Sequence, residues 1–375
     1  MFGHLAGNED VKKRFAGYFV TSTPAYARTA TSCYKTANRQ RSSTERQLSR
    51  GIENMMHRLI DIHAHFFTDE YLAAMRAAGI ETVDGFPIPA WSEVSALARM
   101  DEWGIETAIL SISAPGIDFT SGGNARSLAK SINESLAEMI SRHPQRFGGF
   151  GILPLPDVDA ALREVERALD VLKLDGVVLY TNLGGTYLGD RTFDALFAEL
   201  NRRKAVVYVH PVAPPNFDMG QLGFSAPALE FPFDTTRMIM NLVASGTLRR
   251  FPDFRMIVSH GGGTLPLLVP RVTRNLVRFG QAQPPFTPEE VLDTFKSLYF
   301  DLTAVSHPHA IDSVLAIADA SRLLYGSDHP FMVPALVPQA IEFLRSSPKI
   351  DGALRADIAR NNALALFPRL RSAIS

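Results

Sequence analysis

The sequence predicts an α/β protein built as a (β/α)8 TIM barrel, preceded by a separate N-terminal extension. Three observations support this fold. Eight short apolar runs lie between Leu59 and Tyr325, amphipathic stretches separate them, and most of the runs lack polar alternation. Strands without polar alternation are expected where helices cover a parallel sheet. Eight such strands alternating with helices match a barrel.

The predicted strands are rich in Val, Ile, Leu, Phe and Tyr. In chain order they are Leu59–His63, Thr107–Ile112, Phe147–Leu153, Gly176–Tyr180, Val206–His210, Arg255–Ser259, Leu298–Leu302 and Arg322–Tyr325. A doubly wound open sheet is the alternative arrangement of these strands. No GxGxxG sequence follows the first strand, which counts against a dinucleotide-binding fold.

The amphipathic stretches are predicted as helices. They include Asn124–Ser141, Asp157–Leu172, Thr192–Arg203, Thr235–Arg249 and Pro308–Ala318. Asp157 and Asp190 are acids of the kind that begin helices. The longest insertion, Val212–Phe233, follows the fifth strand and is rich in Pro, Phe and Gly. We expect it to be a long loop that overhangs the catalytic end of the barrel.

The composition excludes several classes of protein. The chain of 375 residues is 46% hydrophobic and 21% charged, with a net charge of −1, which is not the composition of a collagen, a disordered chain or a coiled coil. No run of 18 apolar residues exists, so no membrane span is expected. The near-neutral charge argues against a nucleic-acid partner. The single cysteine, Cys33, can form neither an internal disulfide nor a two-cysteine zinc site.

The first residues differ in charge from the rest of the chain. Residues 1–54 hold nine Lys and Arg against four Asp and Glu, a balance of +5 that leaves −6 for the remainder. An Arg-rich, Ser-rich and acid-poor segment is typical of an organelle transit peptide. A disordered extension, or a start set too far upstream of Met55, explains it as well. We predict that residues 1–57 are an extension, that residues 58–375 form the barrel, and that the protein is cytoplasmic rather than mitochondrial.

Histidines end three of the predicted strands. His63 and His65 form an HxH at the end of the first strand, where alternate residues point to the same side and the two imidazoles converge. His210 ends the fifth strand, and His260 ends the sixth before three glycines. Those glycines could form a tight turn or allow close approach to a ligand, but they lack the lysine of a P-loop. Each histidine taken alone is equally consistent with an ordinary hydrogen-bonded strand end.

Asp328 follows the eighth strand and completes a pattern. Active-site residues of a barrel gather at the carboxyl ends of its strands, and here the ends of strands one, five, six and eight supply four histidines and this aspartate. Three or four nitrogen and oxygen donors with one open position describe a catalytic metal site. The combined pattern therefore predicts a metal centre, although Asp328 alone could be a helix cap.

The same residues resemble the amidohydrolase superfamily. Three segments resemble the branch of this superfamily that contains aminocarboxymuconate-semialdehyde decarboxylase. They are Asp61–Phe67 (DIHAHFF), Ser259–Gly263 (SHGGG) and Tyr325–Phe331 (YGSDHPF). Further segments resemble the fungal 6-methylsalicylate decarboxylases, namely Leu153–Asp157, Leu188–Asp190, Glu199–Arg203 and Glu230–Arg237. The resemblance extends from about Leu59 to Phe367. It implies the barrel of the metal-dependent hydrolases.

The resemblance implies a role for each matching residue. His63, His65, His210 and Asp328 would hold one divalent metal, with zinc expected and manganese as the alternative. His260 would lie beside the metal as a general acid/base. Relatives with two metals use a carboxylated lysine on the fourth strand, and this strand has none, which argues for one ion. The resemblance also implies a homodimer.

The activity implied is non-oxidative decarboxylation of an ortho-hydroxy aromatic acid such as 6-methylsalicylate. Asp328 would protonate the ring carbon, which requires a carboxyl kept partly neutral by a dry pocket, and His260 would assist it. Arg237 or Arg271 could bind the substrate carboxylate. Other candidate contacts, each also consistent with core packing, are Phe231, Phe233, Trp91, Tyr180 and His329.

Two other functions use the same residues. A metal-dependent hydrolase of the lactonase type would attack its substrate with water activated by the metal. A non-catalytic relative would act as a binding protein, and such proteins typically lose a metal ligand. No ligand of the predicted set is missing from this sequence. The metal motifs specify the superfamily better than they specify the substrate.

Overall fold

The computed structural model describes residues 58–217, 223–279 and 285–374. The predicted extension at 1–57, including Cys33, lies outside the described residues. Within the described part of the chain, no helix combines the length and the apolar character needed to cross a membrane.

The centre of the fold is a sheet of eight parallel strands that are hydrogen-bonded in chain order. We number them β1 Leu59–His65, β2 Ile105–Ser111, β3 Phe147–Ile152, β4 Gly176–Tyr180, β5 Val206–His210, β6 Arg255–Val258, β7 Tyr299–Asp301 and β8 Leu323–Leu324. Each predicted strand is present, with ends that differ by at most two residues. The α/β barrel prediction is confirmed.

The first and last strands meet and bring the sheet close to a closed barrel. The Ile62 amide donates to the Tyr325 carbonyl at 3.0 Å, and the Asp328 amide donates to the His63 carbonyl at 2.7 Å. The His65 amide reaches the carbonyl of His329 at 2.7 Å. Because these bonds lie just after β8, they join the end of β1 directly to the segment that carries Asp328.

Helices surround the sheet and bury their apolar faces against it. The α-helices are Asp69–Ala77, Glu93–Trp103, Gly122–Arg142, Val158–Glu166, Asp194–Arg202, Ala226–Ala244, Thr247–Arg250, Leu265–Phe279, Pro288–Ser297, Pro308–Leu315, Leu336–Ser346, Gly352–Ala356, Asn362–Leu366 and Pro368–Ile374. Two π-helical turns, Arg167–Val171 and Asp357–Asn361, continue helices. As predicted, Asp157 accepts a bond from the Ala160 amide at 3.0 Å, and Asp190 caps the turn at Thr192.

Two short hairpins leave the main sheet. One pairs Thr82–Val83 with Phe86–Pro87, and the other pairs Asn182–Leu183 with Thr186–Tyr187. The first hairpin contributes Val83 and Phe86 to the wall of the cavity described below.

The insertion after β5 differs from the expected long loop. Its last eight residues are helical from Ala226, so the predicted helix at Thr235 begins nine residues earlier. Pro227 lies in the first turn, where a missing amide hydrogen costs nothing. Pro232 lies inside the helix, where its ring nitrogen cannot donate a backbone hydrogen bond. One turn later, the Thr236 hydroxyl donates to the Pro232 carbonyl at 2.8 Å, and its oxygen accepts the bond that joins this turn to the neighbouring segment.

That neighbouring segment is the glycine run after β6. The Thr264 amide donates to the Thr236 hydroxyl oxygen at 2.9 Å. A Cβ atom on Gly263 would lie 2.1 Å from the Pro232 carbonyl oxygen. The glycine run is therefore needed for close packing of the helix Ala226–Ala244 against the end of β6.

Replacing Gly263 by Ala is expected to destabilise the protein by about 3 kcal/mol. Its backbone has φ 67° and ψ −125°, a region essentially restricted to glycine, and the added methyl would clash with Pro232. Gly79→Ala is the matched control, because φ is 74° there and no atom lies within 4 Å of the added Cβ. That control should lose only about 1 kcal/mol. Equal losses in urea unfolding would contradict the packing argument.

Candidate metal centre

Three histidines and one aspartate converge at the carboxyl end of the barrel. His63, His65, His210 and Asp328 each offer one donor atom, and all four atoms lie within 4.8 Å of one another. Asp328 Oδ1 is 3.4 Å from His63 Nε2 and 3.1 Å from His65 Nε2. A tetrahedral zinc ion with bonds of about 2.0–2.1 Å holds its donors about 3.3 Å apart. The four residues are thus arranged as a single metal site.

The Nδ1 atom of each of the three imidazoles is already hydrogen-bonded. His63 Nδ1 donates to Asp301 Oδ2 at 3.1 Å, His65 Nδ1 donates to the Ser111 carbonyl at 3.2 Å, and His210 Nδ1 donates to the Pro211 carbonyl at 2.7 Å. These bonds leave Nε2 as the free nitrogen on each ring. The buried Nε2 atoms of His63 and His65 have no hydrogen-bond partner in the structure, as expected for metal ligands.

Asp301, at the end of β7, forms hydrogen bonds with both the His63 side chain and the His260 backbone. Its Oδ2 receives the bond from His63, while its Oδ1 accepts from the His260 amide at 3.1 Å and from the Thr303 amide at 3.0 Å. The side chain is fully buried. Asp301 therefore sets both the orientation of His63 and the backbone position of His260.

Asp301→Asn is expected to weaken metal binding by about 10–100-fold. The amide oxygen can still accept from His260 and Thr303, but the NH2 group replaces the acceptor that faces His63 Nδ1. The His63 proton then moves to Nε2, the atom required for the metal. Metal titration of the apo protein measures the effect, with Asp312→Asn, a substitution of a surface acid paired with Lys349, as control. Unchanged affinity in Asp301→Asn would contradict the role of this bond.

Asp61, inside β1, holds the turn that presents Asp328. It accepts bonds from the Ser327 hydroxyl at 2.5 Å and from the Ser327 amide at 3.0 Å. Burial raises the pKa of Asp61 to about 7, against these bonds, which lower it. Asp328 itself has a φ of 60°, a value that is uncommon outside glycine and marks a constrained position. The turn is therefore fixed by contacts within the barrel.

The electrostatics of the histidines suit a bound cation. Burial is the main cause that lowers the pKa of His65 and His210, so both rings are neutral, the form that binds a metal. His63 differs: burial would lower its pKa, but the charges of Asp301 and Asp328 raise it to about 10. Two carboxylates on either side of His63 thus favour a positive charge, which a divalent metal ion would supply. The residues present fit such an ion.

The Asp328 carboxyl group favours the ionised form, whereas the sequence suggested a partly neutral one. Burial would raise its pKa, as expected for a dry pocket, but the charge of His63 and the close approach of His260, His63 and His65 hold that pKa well below the usual value. The carboxyl group is therefore ionised at rest. His260 Nε2 is 4.0 Å from Asp328 Oδ2, and its side chain is 14% exposed. The Asp328 side chain is 19% exposed, so both side chains are partly accessible to solvent, beside the metal ligands.

A cavity of about 710 Å³ opens above these residues. His210, His260, Asp328 and Ser113 form its polar end, and the wall beyond them is mostly apolar. Phe231 contributes to that wall, with its ring 5.9 Å from that of His210. The described residues that line the cavity include no arginine or lysine.

The two candidate arginines lie elsewhere. Arg237 is half exposed and faces Glu230, at 3.4 Å, and Asp234, at 3.7 Å. Arg271 is exposed on the helix Leu265–Phe279. Neither is among the described residues that line the cavity, which leaves the metal end as the place for a carboxylate.

The other four substrate candidates also lie outside the cavity lining. Tyr180 is buried and donates its hydroxyl to the Ile112 carbonyl at 3.0 Å, and the Trp91 ring packs 6.2 Å from that of Phe66. His329 packs against Trp103 with ring centroids 5.4 Å apart. Phe233 is 37% exposed, on another side of the helix from Phe231. These positions favour structural roles over substrate contact.

Sequence reasoning missed the two buried acids, Asp301 and Asp61. A signal for Asp301 exists, because it is an acid one residue before the end of the seventh predicted strand, Leu298–Leu302, near the edge where the histidines of strands five and six lie. Asp61 is a charged residue inside an otherwise apolar strand, which is rare unless the charge has a partner. Neither signal identifies the partner.

Comparisons with known proteins show the family of this chain. The profile of a protein family described as amidohydrolase matches residues 60–369. "Decarboxylase yanB" of Aspergillus niger is 35% identical over 326 residues, covering 83% of this chain and 88% of that protein. "6-methylsalicylic acid decarboxylase" of Penicillium expansum is 33% identical, covering 83% of this chain and 97% of that protein. A crystal structure described as amidohydrolase II is 26% identical with a TM-score of 0.78, covering 83% of this chain and 99% of that one.

Proposed function

Because the chain belongs to the amidohydrolase family, we propose that it is a metal-dependent, non-oxidative decarboxylase, a carboxy-lyase that releases CO2 from an ortho-hydroxy aromatic acid such as 6-methylsalicylate. The observation that carries the proposal is the convergence of His63, His65, His210 and Asp328 on one point, with His260 beside them, at the base of an apolar cavity. Relatives named as decarboxylases support this activity rather than the hydrolase alternative. The complete ligand set argues against a non-catalytic relative.

The metal that we propose is zinc, with manganese as the alternative. Three imidazole nitrogens and one carboxylate oxygen form a donor set that zinc accepts in a tetrahedral arrangement. Imidazole and carboxylate ligands also suit other divalent ions. Metal analysis of the purified protein decides between the two.

The substrate is oriented by the two ends of the cavity. His63, His65, His210 and Asp328 would hold the metal, which would supply Lewis-acid stabilisation of the charge that develops while the C–C bond breaks. The aromatic ring then lies against the apolar wall, where Phe231 and Phe331 are in reach of the polar end. This wall excludes water, which strengthens the electrostatic interactions at the base.

The proton transfer is assigned to Asp328 and His260. Asp328 donates a proton to the ring carbon that bears the carboxylate, so that a C–H bond forms there. The C–C bond then breaks, its electron pair restores the aromatic ring, and CO2 leaves. Because the pKa of Asp328 is held low, this group is a strong acid once protonated and must be reprotonated for each turnover. His260, which is partly exposed, is positioned to pass that proton from solvent.

The test is CO2 release from a panel of ortho-hydroxybenzoates. Protein stripped of metal by a chelator should be inactive, and addition of zinc or manganese should restore CO2 release with about one ion per chain. Stripped protein without added metal is the control. Incorporation of oxygen-18 from water into the product, without CO2, would instead identify a hydrolase.

We also propose a homodimer in the cytoplasm. Exposed apolar side chains such as Val94, which is 78% exposed, support association with a second copy. Light scattering of the purified protein measures the oligomeric state. Fluorescent fusions of the chain with and without residues 1–57 test the location.

A further inference from the structure

The cavity is larger than a single-ring acid requires. Its volume of about 710 Å³ lies in the upper part of the range of about 300–1,000 Å³ that holds a drug-sized ligand. A hydroxybenzoate with one methyl substituent is much smaller than such a ligand. Once its carboxylate and hydroxyl face the metal ligands, most of the cavity remains to be filled.

The space beyond the metal end has a distinct chemistry. Its described walls are formed mainly by apolar residues such as Val83, Phe86, Pro227, Val305, Val314 and Val333. The polar exceptions are His307, His309 and Ser313, which lie together at the helix Pro308–Leu315. Apart from these three residues, the described wall beyond the metal end offers no side chain that could form a hydrogen bond with a polar substituent.

The apolar wall continues to the mouth of the cavity. Phe86 is 41% exposed, Leu267 is 74% exposed and Val333 is 45% exposed, and all three line the cavity. A ligand that removes apolar surface of this kind from water binds with a more favourable free energy. An unbranched hydrocarbon chain matches both its chemistry and its extent.

We propose that the preferred substrate is an ortho-hydroxybenzoate whose ring carries an apolar chain longer than a methyl group, which extends along this wall towards the mouth. The inference rests on the proposed decarboxylase function and specifies its substrate class. The metal end selects the hydroxybenzoate group, and the apolar wall selects the chain.

The test compares kcat/KM for 2-hydroxybenzoates that carry methyl, propyl, pentyl or heptyl chains at position 6 or at position 4. In one of the two series, kcat/KM should rise by up to about fourfold for each buried methylene group, and level off when the chain reaches the mouth. A fall or no change beyond methyl in both series would overturn the proposal.

Two substitutions that fill the cavity test where the alkyl chain of the substrate binds. Ala310→Phe and Ala228→Phe each place a ring into the lining, from the helices Pro308–Leu315 and Ala226–Ala244. Each should lower the ratio of kcat/KM for heptyl over methyl. Ala316→Phe is the matched control, since Ala316 is exposed just after the first of these helices, and it should keep the ratio. An unchanged ratio in both filled variants would contradict the assignment.

Failure of this inference differs from failure of the proposed function. If the methyl compound releases CO2 and longer chains give no advantage, only the substrate class is wrong. If no compound releases CO2, the proposed function fails. Calorimetric titration with 3-alkylphenols then still measures how tightly the apolar wall binds an alkyl chain. Dissociation constants that decrease with chain length would then support the apolar site, and constants that do not would overturn it.

Discussion

Asp328→Asn is expected to reduce the rate of CO2 release by about 10²–10⁴-fold or more, while the protein stays folded. General acid catalysis contributes about this much, and an amide cannot deliver the proton that the ring carbon needs. Asparagine is similar in size and tolerates the positive φ that Asp328 has, so the turn held by Asp61 should survive. Turnover with 6-methylsalicylate and thermal unfolding are the two measurements.

The same variant separates proton transfer from metal binding. Asparagine keeps one oxygen that can serve as a ligand, so metal content is measured beside turnover. Asp312→Asn, at a surface ion pair with Lys349, is the control and should behave like the wild type. An Asp328→Asn enzyme with substantial turnover would contradict the assignment of Asp328 as the acid.

His210→Ala is expected to lower metal affinity by more than about 100-fold and to abolish activity at ordinary metal concentrations. His210 is 2% exposed, its Nδ1 is bound to the Pro211 carbonyl, and its Nε2 faces the other ligands. Loss of a direct ligand should exceed the 10–100-fold effect typical of losing an outer partner. Metal stoichiometry after dialysis and CO2 release in excess zinc measure the two effects.

His143→Ala is the matched control for His210→Ala. His143 is one-third exposed and pairs with Glu93 at 2.8 Å on the surface of the barrel. This control should retain full metal content and turnover. Stoichiometric metal in His210→Ala after dialysis would show that His210 is not a ligand.

Much of the fold could be predicted because barrel strands leave a clear signal. Runs such as Val206–Val209 are apolar throughout, and the chain order of the strands equals their order in the sheet. The helix Ala226–Ala244 was only partly predicted, since a proline such as Pro232 normally ends a helix and the bond from the Thr236 hydroxyl to the Pro232 carbonyl depends on local geometry. Propensity alone does not reveal such a bond.

The metal ligands could be predicted for a related reason. His63, His65, His210 and Asp328 occupy strand ends, and a barrel brings all strand ends together. Asp301 could not be assigned a partner, because its bond to His63 links residues 238 positions apart in the chain.

The substrate wall is harder to predict than either. Leu267 and Val333 come from different segments after the strands, and their sequence positions carry no sign that they share a cavity. Arg237 illustrates the converse error: arginine is the usual partner of a carboxylate, but here it faces Glu230 and Asp234.

The most direct test of the central claim is decarboxylation of 6-methylsalicylate labelled with carbon-13 in its carboxyl group, run in D2O with metal-loaded enzyme. The account predicts that the label appears as CO2 and bicarbonate. It also predicts that the product, 3-methylphenol, carries one deuterium on the carbon that lost the carboxylate. Retention of the label in the organic product, or conversion of substrate without deuterium at that carbon, would contradict it.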